Sequence, residues 1–168
     1  PTRRSSDLLS QQALKTVKRI SLELGGKSPC VWLPDLPDYR PAIKPLFNSI
    51  FLNSGQTCTA LSRLIVPKAR LTEVEKLLLD HVKDYPVGDP FDPKVLIGPM
   101  ASRQQFETVK SYIELGVKEG ARLLAGSIPE EPGAHEKGWF IQPTIFTNVK
   151  NDMRIAREEI FGPVLCVD

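Results

Sequence analysis

Three cysteines in 168 residues, Cys30, Cys58 and Cys166, are odd in number and show no C-x-x-C spacing. Neither a disulfide framework nor a zinc site fits that pattern, and reduced thiols are expected. No apolar run approaches the roughly 20 residues that span a bilayer, and the N-terminus lacks the apolar stretch of a signal peptide. The expectation is a cytoplasmic protein without a membrane partner. There is also no block of like charge: 22 Lys and Arg are interspersed with 20 Asp and Glu, for a net charge of +2. That balance argues against a dedicated nucleic-acid partner. Internal repeats and low-complexity tracts are missing too. What remains is a chain of one-domain size, apolar enough to close a core and open to small-molecule chemistry.

The opening octet, Pro1 to Leu8, fits no element that follows. It translates a common sequencing adapter in one frame, so it is expected to be non-native and the chain to be a fragment. Beyond it, helical and extended signals alternate. Ser10 to Arg19 reads as helix, and Ile20 to Leu24 alternates with period two up to Gly25-Gly26, as a strand would. Pro29 to Leu33 is a second strand. Ala42 to Leu52 is expected to be a helix with Pro45 in its first turn. Arg63 to Val66 reads as a strand, and Leu71 to Asp84 as an amphipathic helix.

Tyr85 to Pro99, rich in Pro and Gly, is long for a connection and reads as a functional loop or an interface segment. Ser102 to Glu119 returns to helix, stopped by Gly120, before the strand Ala121 to Ala125. A polar loop spans Gly126 to Gly138. Phe140 to Val149 is extended, Asp152 to Glu158 helical, and Val164 to Val167 a last strand. Such alternation implies an α/β fold on a mostly parallel sheet, with active groups at the carboxyl ends of strands.

Cys58 lies in the small, polar segment Asn53-Ser54-Gly55-Gln56-Thr57-Cys58, between an apolar run and a strand. A lone cysteine more often packs as a small apolar residue. Here the polar neighbours favour a nucleophile, and a helix N-terminus at the thiol would activate it. Glu23, 35 residues upstream, is either a solvated glutamate or a base. The Gly25-Gly26 pair beside it permits close backbone approach to a ligand.

Leu22-Glu23-Leu24-Gly25-Gly26-Lys27-Ser28-Pro29 and the Cys58 segment resemble the two active-site signatures of the aldehyde dehydrogenase superfamily. Val87-Gly88-Asp89-Pro90 through Gly98-Pro99, Gly138-Trp139-Phe140-Ile141-Gln142-Pro143-Thr144 and Glu158-Glu159-Ile160-Phe161-Gly162-Pro163-Val164 resemble further landmarks in the same order. The resemblance covers Ser10 to Asp168. It implies the catalytic-domain portion of that fold over residues 29–168, truncated at its C-terminal end. Residues 9–28 would be the last helix and strand of the cofactor domain.

By the same resemblance, Cys58 is the nucleophile that attacks an aldehyde, and Glu23 activates the water that hydrolyses the thioester. The Cys58 backbone N–H would be one oxyanion donor. Glu159 would bind the nicotinamide ribose, Phe161 would pack beside the nicotinamide, Gly25 would lie near the cofactor, and Gln105 near the adenosine ribose. From the residues alone, Glu159 reads rather as a helix-end carboxylate and Phe161 as a core aromatic, and the motif context is what sets the cofactor roles beside those readings. Lys27 reads as structural. The implied cofactor is NAD or NADP, the substrate a small-molecule aldehyde, and the parent a homo-oligomer. A relative that transfers the acyl group to coenzyme A, and an inactive fragment, are the alternatives. Against the family pattern, the interval from Glu23 to Cys58 is about one residue longer than expected, Gly126-Ser127 stands for a glycine pair, and no glycine-rich βαβ unit precedes Ser10 in the chain.

Overall fold

The computed structural model describes residues 3–130 and 138–168. Five strands form one sheet in the order β1-β2-β5-β4-β3: β1 (Pro29–Val31), β2 (Arg63–Ile65), β3 (Arg122–Ala125), β4 (Thr144–Thr147) and β5 (Val164–Val167). All neighbours run parallel except β3, which pairs antiparallel with β4 at one edge. The central strands β4 and β5 are buried along their whole length. Strands covered on both faces in this way read as continuous apolar runs, as Val164-Leu165-Cys166-Val167 does.

Period two then divides the core. Ile145, Leu165 and Val167 point to one face, where they meet helices α2 (Arg40–Phe51) and α3 (Leu71–Val82) through Phe47, Phe51, Val74 and Leu78. Phe146, Val164 and Cys166 point to the other. There α4 (Arg103–Lys118) and α5 (Arg154–Arg157) cover them with Phe106, Val109, Ile113 and Ile155. Helix α4 starts where Ser102 accepts a hydrogen bond from the Gln105 N–H, an N-cap of the expected kind.

Three expectations are corrected. Helix α1 spans Arg3–Leu14, so residues 3–8 of the octet are helical, and it ends before Arg19 because the chain turns at Lys15 to Val17, with Val17 left-handed at φ 51°. The alternating Ile20 to Leu24 is not a strand: no ladder partner lies beside it among the described residues, and Ile20, Leu22 and Leu24 are exposed. Alternation alone does not make a strand without a neighbour to receive its N–H groups. Helix α2 begins at Arg40, so Pro41 takes the tolerated first-turn place and Pro45 falls inside the helix. Residues 131–137 of the expected polar loop lie outside the described residues.

The Pro- and Gly-rich segment is a closed loop. Val87 bridges Ile97, the Gly88 N–H donates to the Ile97 carbonyl at 3.1 Å, and the Asp89 and Asp92 carboxylates each accept a backbone N–H two residues on. Asx turns of this kind hold a long loop without a helix or strand of its own.

Candidate active site

Helix α2 ends at Phe51 and the chain continues through one 3₁₀ turn, Leu52–Gly55. Asn53 at φ 55°, Ser54 at φ 55° and Gly55 at φ 69° are left-handed in succession. Two of the three carry a side chain, which makes this a costly conformation that its surroundings must enforce. The Asn53 amide donates to the Gln56 carbonyl at 2.9 Å, and the buried Ser54 hydroxyl donates to the Gly98 carbonyl at 2.8 Å. Gln56 Oε1 accepts the Ala101 N–H at 2.9 Å.

On the far side, Gly55 lies so close to Gly162 that an added Cβ would fall 2.1 Å from the Gly162 oxygen. The result is a tight reversal that presents Cys58 exposed in a turn. No helix begins at the thiol. Cys58 lies beyond the C-terminal end of α2, and the next regular element is β2, so the expected helix dipole is not the activating device.

The other signature meets this loop through its glycines. A Cβ on Gly26 would lie 2.6 Å from the Cys58 carbonyl oxygen, and one on Gly25 would overlap the Glu159 carboxylate. The Gly26 N–H donates to Glu159 Oε1 at 3.1 Å. Gly26 and Glu159, 133 residues apart, therefore line one crevice with Gly55 and Thr57 of the thiol turn and with Phe161 and Gly162, while Gly25 lies against the Glu159 carboxylate and the Cys58 carbonyl against Gly26. Glu23 is exposed, three residues before the Gly26 amide.

Two adjacent carboxylates part company here. The backbone at Glu158 is extended, at φ −99° and ψ 146°, which sends neighbouring side chains to opposite sides. Glu158 turns to the protein, taking both Arg154 Nε and Nη2 at 2.8 Å and the Tyr112 hydroxyl at 2.7 Å. The Arg154 guanidinium, then the Tyr112 hydroxyl, hold its pKa down at about 2. Glu159 turns to the crevice, is exposed, and lies beyond the end of α5, so the helix-end reading fails. Phe161 is 37 % exposed and left-handed at φ 56°, so it is not a core aromatic either.

Gln105 Nε2 donates to the Ile160 carbonyl at 3.1 Å and to the Phe161 carbonyl at 2.9 Å, which ties the start of α4 to that turn. Lys27 points into the protein. Its ammonium has no hydrogen-bond partner among the described residues, and burial pulls its pKa down. Cys166 is buried, donates to the Ile155 carbonyl at 3.2 Å, and burial pushes its pKa up to about 11. Ser54 and Gln56 were not singled out by sequence reasoning. Their place in the small polar segment next to the thiol was the available signal.

The model of the aldehyde dehydrogenase family matches residues 3–168. The chain belongs to that family. A 3-succinoylsemialdehyde-pyridine dehydrogenase from a Pseudomonas species is 48 % identical over 164 residues, covering 98 % of this chain and 34 % of that protein. A crystal structure of an aldehyde dehydrogenase C variant from Pseudomonas syringae, complexed with NAD+ and octanal, superposes with a TM-score of 0.89 at 46 % identity, covering 98 % of this chain and 33 % of that one. A Mycobacterium tuberculosis aldehyde dehydrogenase complexed with NAD+ gives a TM-score of 0.88 at 40 % identity, with the same coverage of 98 % and 33 %. The chain thus spans about a third of the length of these relatives. No helix among the described residues is long and apolar enough to cross a membrane.

Proposed function

We propose that the whole protein oxidises a small-molecule aldehyde to a carboxylic acid with a nicotinamide cofactor, through a covalent intermediate on Cys58. The observation that carries this reading is the convergence of the exposed Cys58 turn, the Gly25-Gly26 approach and the Glu159 carboxylate on one crevice. Family membership supplies the reaction class.

The residues present fit part of a nicotinamide nucleotide. Glu159 offers an exposed carboxylate to ribose hydroxyls, Gly25 and Gly26 leave room where any side chain would collide, and the half-exposed Phe161 ring offers an apolar face. Gln105, with its Nε2 turned to the 160–161 carbonyls, would present Oε1 to a second ribose. NAD, the ligand in the similar P. syringae and M. tuberculosis structures, is the cofactor we infer. When bound, it accepts a hydride.

The Cys58 sulfur, deprotonated, adds to the aldehyde carbon and gives a tetrahedral thiohemiacetal, whose oxyanion the Cys58 N–H would stabilise. Loss of the carbon-bound hydrogen with its electron pair leaves a thioester. Glu23 then takes a proton from water, the hydroxide adds, and the carbon–sulfur bond breaks to release acid and free thiol. Two of the three cysteines divide accordingly: Cys166, buried and held as a neutral thiol at pH 7, is structural, and Cys58 is reactive.

We place residues 9–28 at the end of the cofactor domain and residues 29–168 in the catalytic domain, with residues 1–8 non-native. The 168 residues alone are inactive, the whole protein acts as a homo-oligomer in the cytoplasm, and neither nucleic acid nor membrane is a partner. An aldehyde assay of the whole protein with NAD, with and without coenzyme A, tests the reading. Acid should form without coenzyme A, and Cys58→Ala should abolish it. Turnover only with coenzyme A, yielding an acyl-coenzyme A, would overturn hydrolysis by Glu23.

A further inference from the structure

The loop 85–99 and residues 100–104 have no part in this chemistry, yet the segment they form with Gln105 touches both halves of the crevice. Ser54 and Gln56 hang the thiol turn on Gly98 and Ala101, and Gln105, four residues on, holds the carbonyls of Ile160 and Phe161. The segment is itself anchored. The Met100 N–H donates to the Trp139 carbonyl at 2.8 Å, Met100 and Phe106 are buried, and Ser102 caps α4.

Each turn it meets contains a left-handed residue with a side chain: Asn53 and Ser54 on one side, Phe161 on the other. Such conformations persist only where neighbours enforce them. We propose that Gly98 to Gln105 is a strut that sets the spacing of the nucleophile turn and the cofactor-facing turn, with Gln56 and Gln105 as positioning residues acting through Cys58 and Phe161. The roles of those two groups rest on the function proposed above; the strut does not.

The two glutamines work in opposite senses. The Ala101 N–H can only donate, so the Gln56 atom facing it is the carbonyl oxygen. The Ile160 and Phe161 carbonyls can only accept, so the Gln105 atom facing them is the amide nitrogen. One change of nearly the same shape therefore separates them. A glutamate at position 56 keeps the acceptor for Ala101, and its second oxygen meets only one carbonyl, that of Asn53, at the longer 3.3 Å distance and in an exposed place where it can turn to solvent. A glutamate at position 105 loses the donor and sets a carboxylate against two carbonyls.

Peptide-resolved hydrogen exchange on the chain, with circular dichroism as the check on folding, reads this without cofactor or substrate. Gln56→Leu should speed exchange over residues 53–58, and Gln105→Leu and Gln105→Glu over residues 160–164, each by at least about five- to tenfold, the effect of losing one of its two hydrogen bonds in a local opening equilibrium. Gln56→Glu should stay within about twofold of the unsubstituted chain. If either leucine variant fails to fold, the two glutamate variants decide alone. The strut is wrong if Gln56→Glu is as disruptive as Gln56→Leu or unfolds the chain. It is equally wrong if Gln105→Glu exchanges like the unsubstituted chain, or faster everywhere rather than at 160–164. Failure of the aldehyde assay with these exchange results intact would remove the function and leave the strut standing.

Discussion

Cys58 is exposed because Asn53, Ser54 and Gly55 turn the chain left-handed in succession, and each of the three is placed by a different contact. The thiol segment stood out in the sequence as a candidate site because small polar residues interrupt two apolar runs. Its geometry was not, since a left-handed run depends on Gly98 and Gly162, which are remote in sequence. Glu158 and Glu159 show the same division. Sequence does not say which of two adjacent carboxylates faces solvent; that is decided by Arg154 and Tyr112, which claim Glu158.

The folded pKa of Glu158 is depressed to about 2 from an ordinary 4.5, so its contribution is present above pH 4.5 and is lost as pH falls toward 2. Glu158→Gln should lower stability at pH 7 by about 0.5–1 kcal/mol, a figure held down by the exposure of the Arg154 pair. Acid titration followed by circular dichroism should then show a shallower loss of stability between pH 4.5 and 2 than in the unsubstituted chain.

Among the elements, the helices and the central strands were readable because burial imposes their periods: apolar faces at helical spacing in α3 and α4, and a continuous apolar run in β5. The misreadings fall where a partner element decides. Ile20 to Leu24 alternates like a strand and finds no neighbour among the described residues, and α1 stops at Leu14 short of the expected Arg19. The join between the 3₁₀ turn and the 161–163 turn is the least able to yield, because backbone meets backbone and neither side can rotate away. Gly55→Ala combines that collision with a left-handed φ of 69°, and should cost at least about 2–3 kcal/mol. Denaturant unfolding measures it. A loss below 1 kcal/mol would mean that the two turns are not locked together.

At the scale of the whole molecule, one mostly parallel sheet separates two cores, and the crevice forms where the turns after α2 and α5 meet the Gly25-Gly26 approach. That places the reacting groups on loops supported by rigid layers, as expected for an open α/β sheet. The family was legible from five motifs in order, and the match over residues 3–168 agrees with it. The strut was not legible, because its bonds run between side-chain amides and backbone groups that no motif records.

The central claim is that Cys58 carries the acyl group and Glu23 releases it. In the whole protein with Glu23→Gln, NAD and a saturating aldehyde, rapid mixing should give a burst of about one NADH per site, followed by turnover slowed about 10²- to 10⁴-fold. Mass spectrometry of the quenched enzyme should place the acyl group on the Cys58 peptide. An unchanged steady-state rate, or an acyl group on any other residue, would contradict the account.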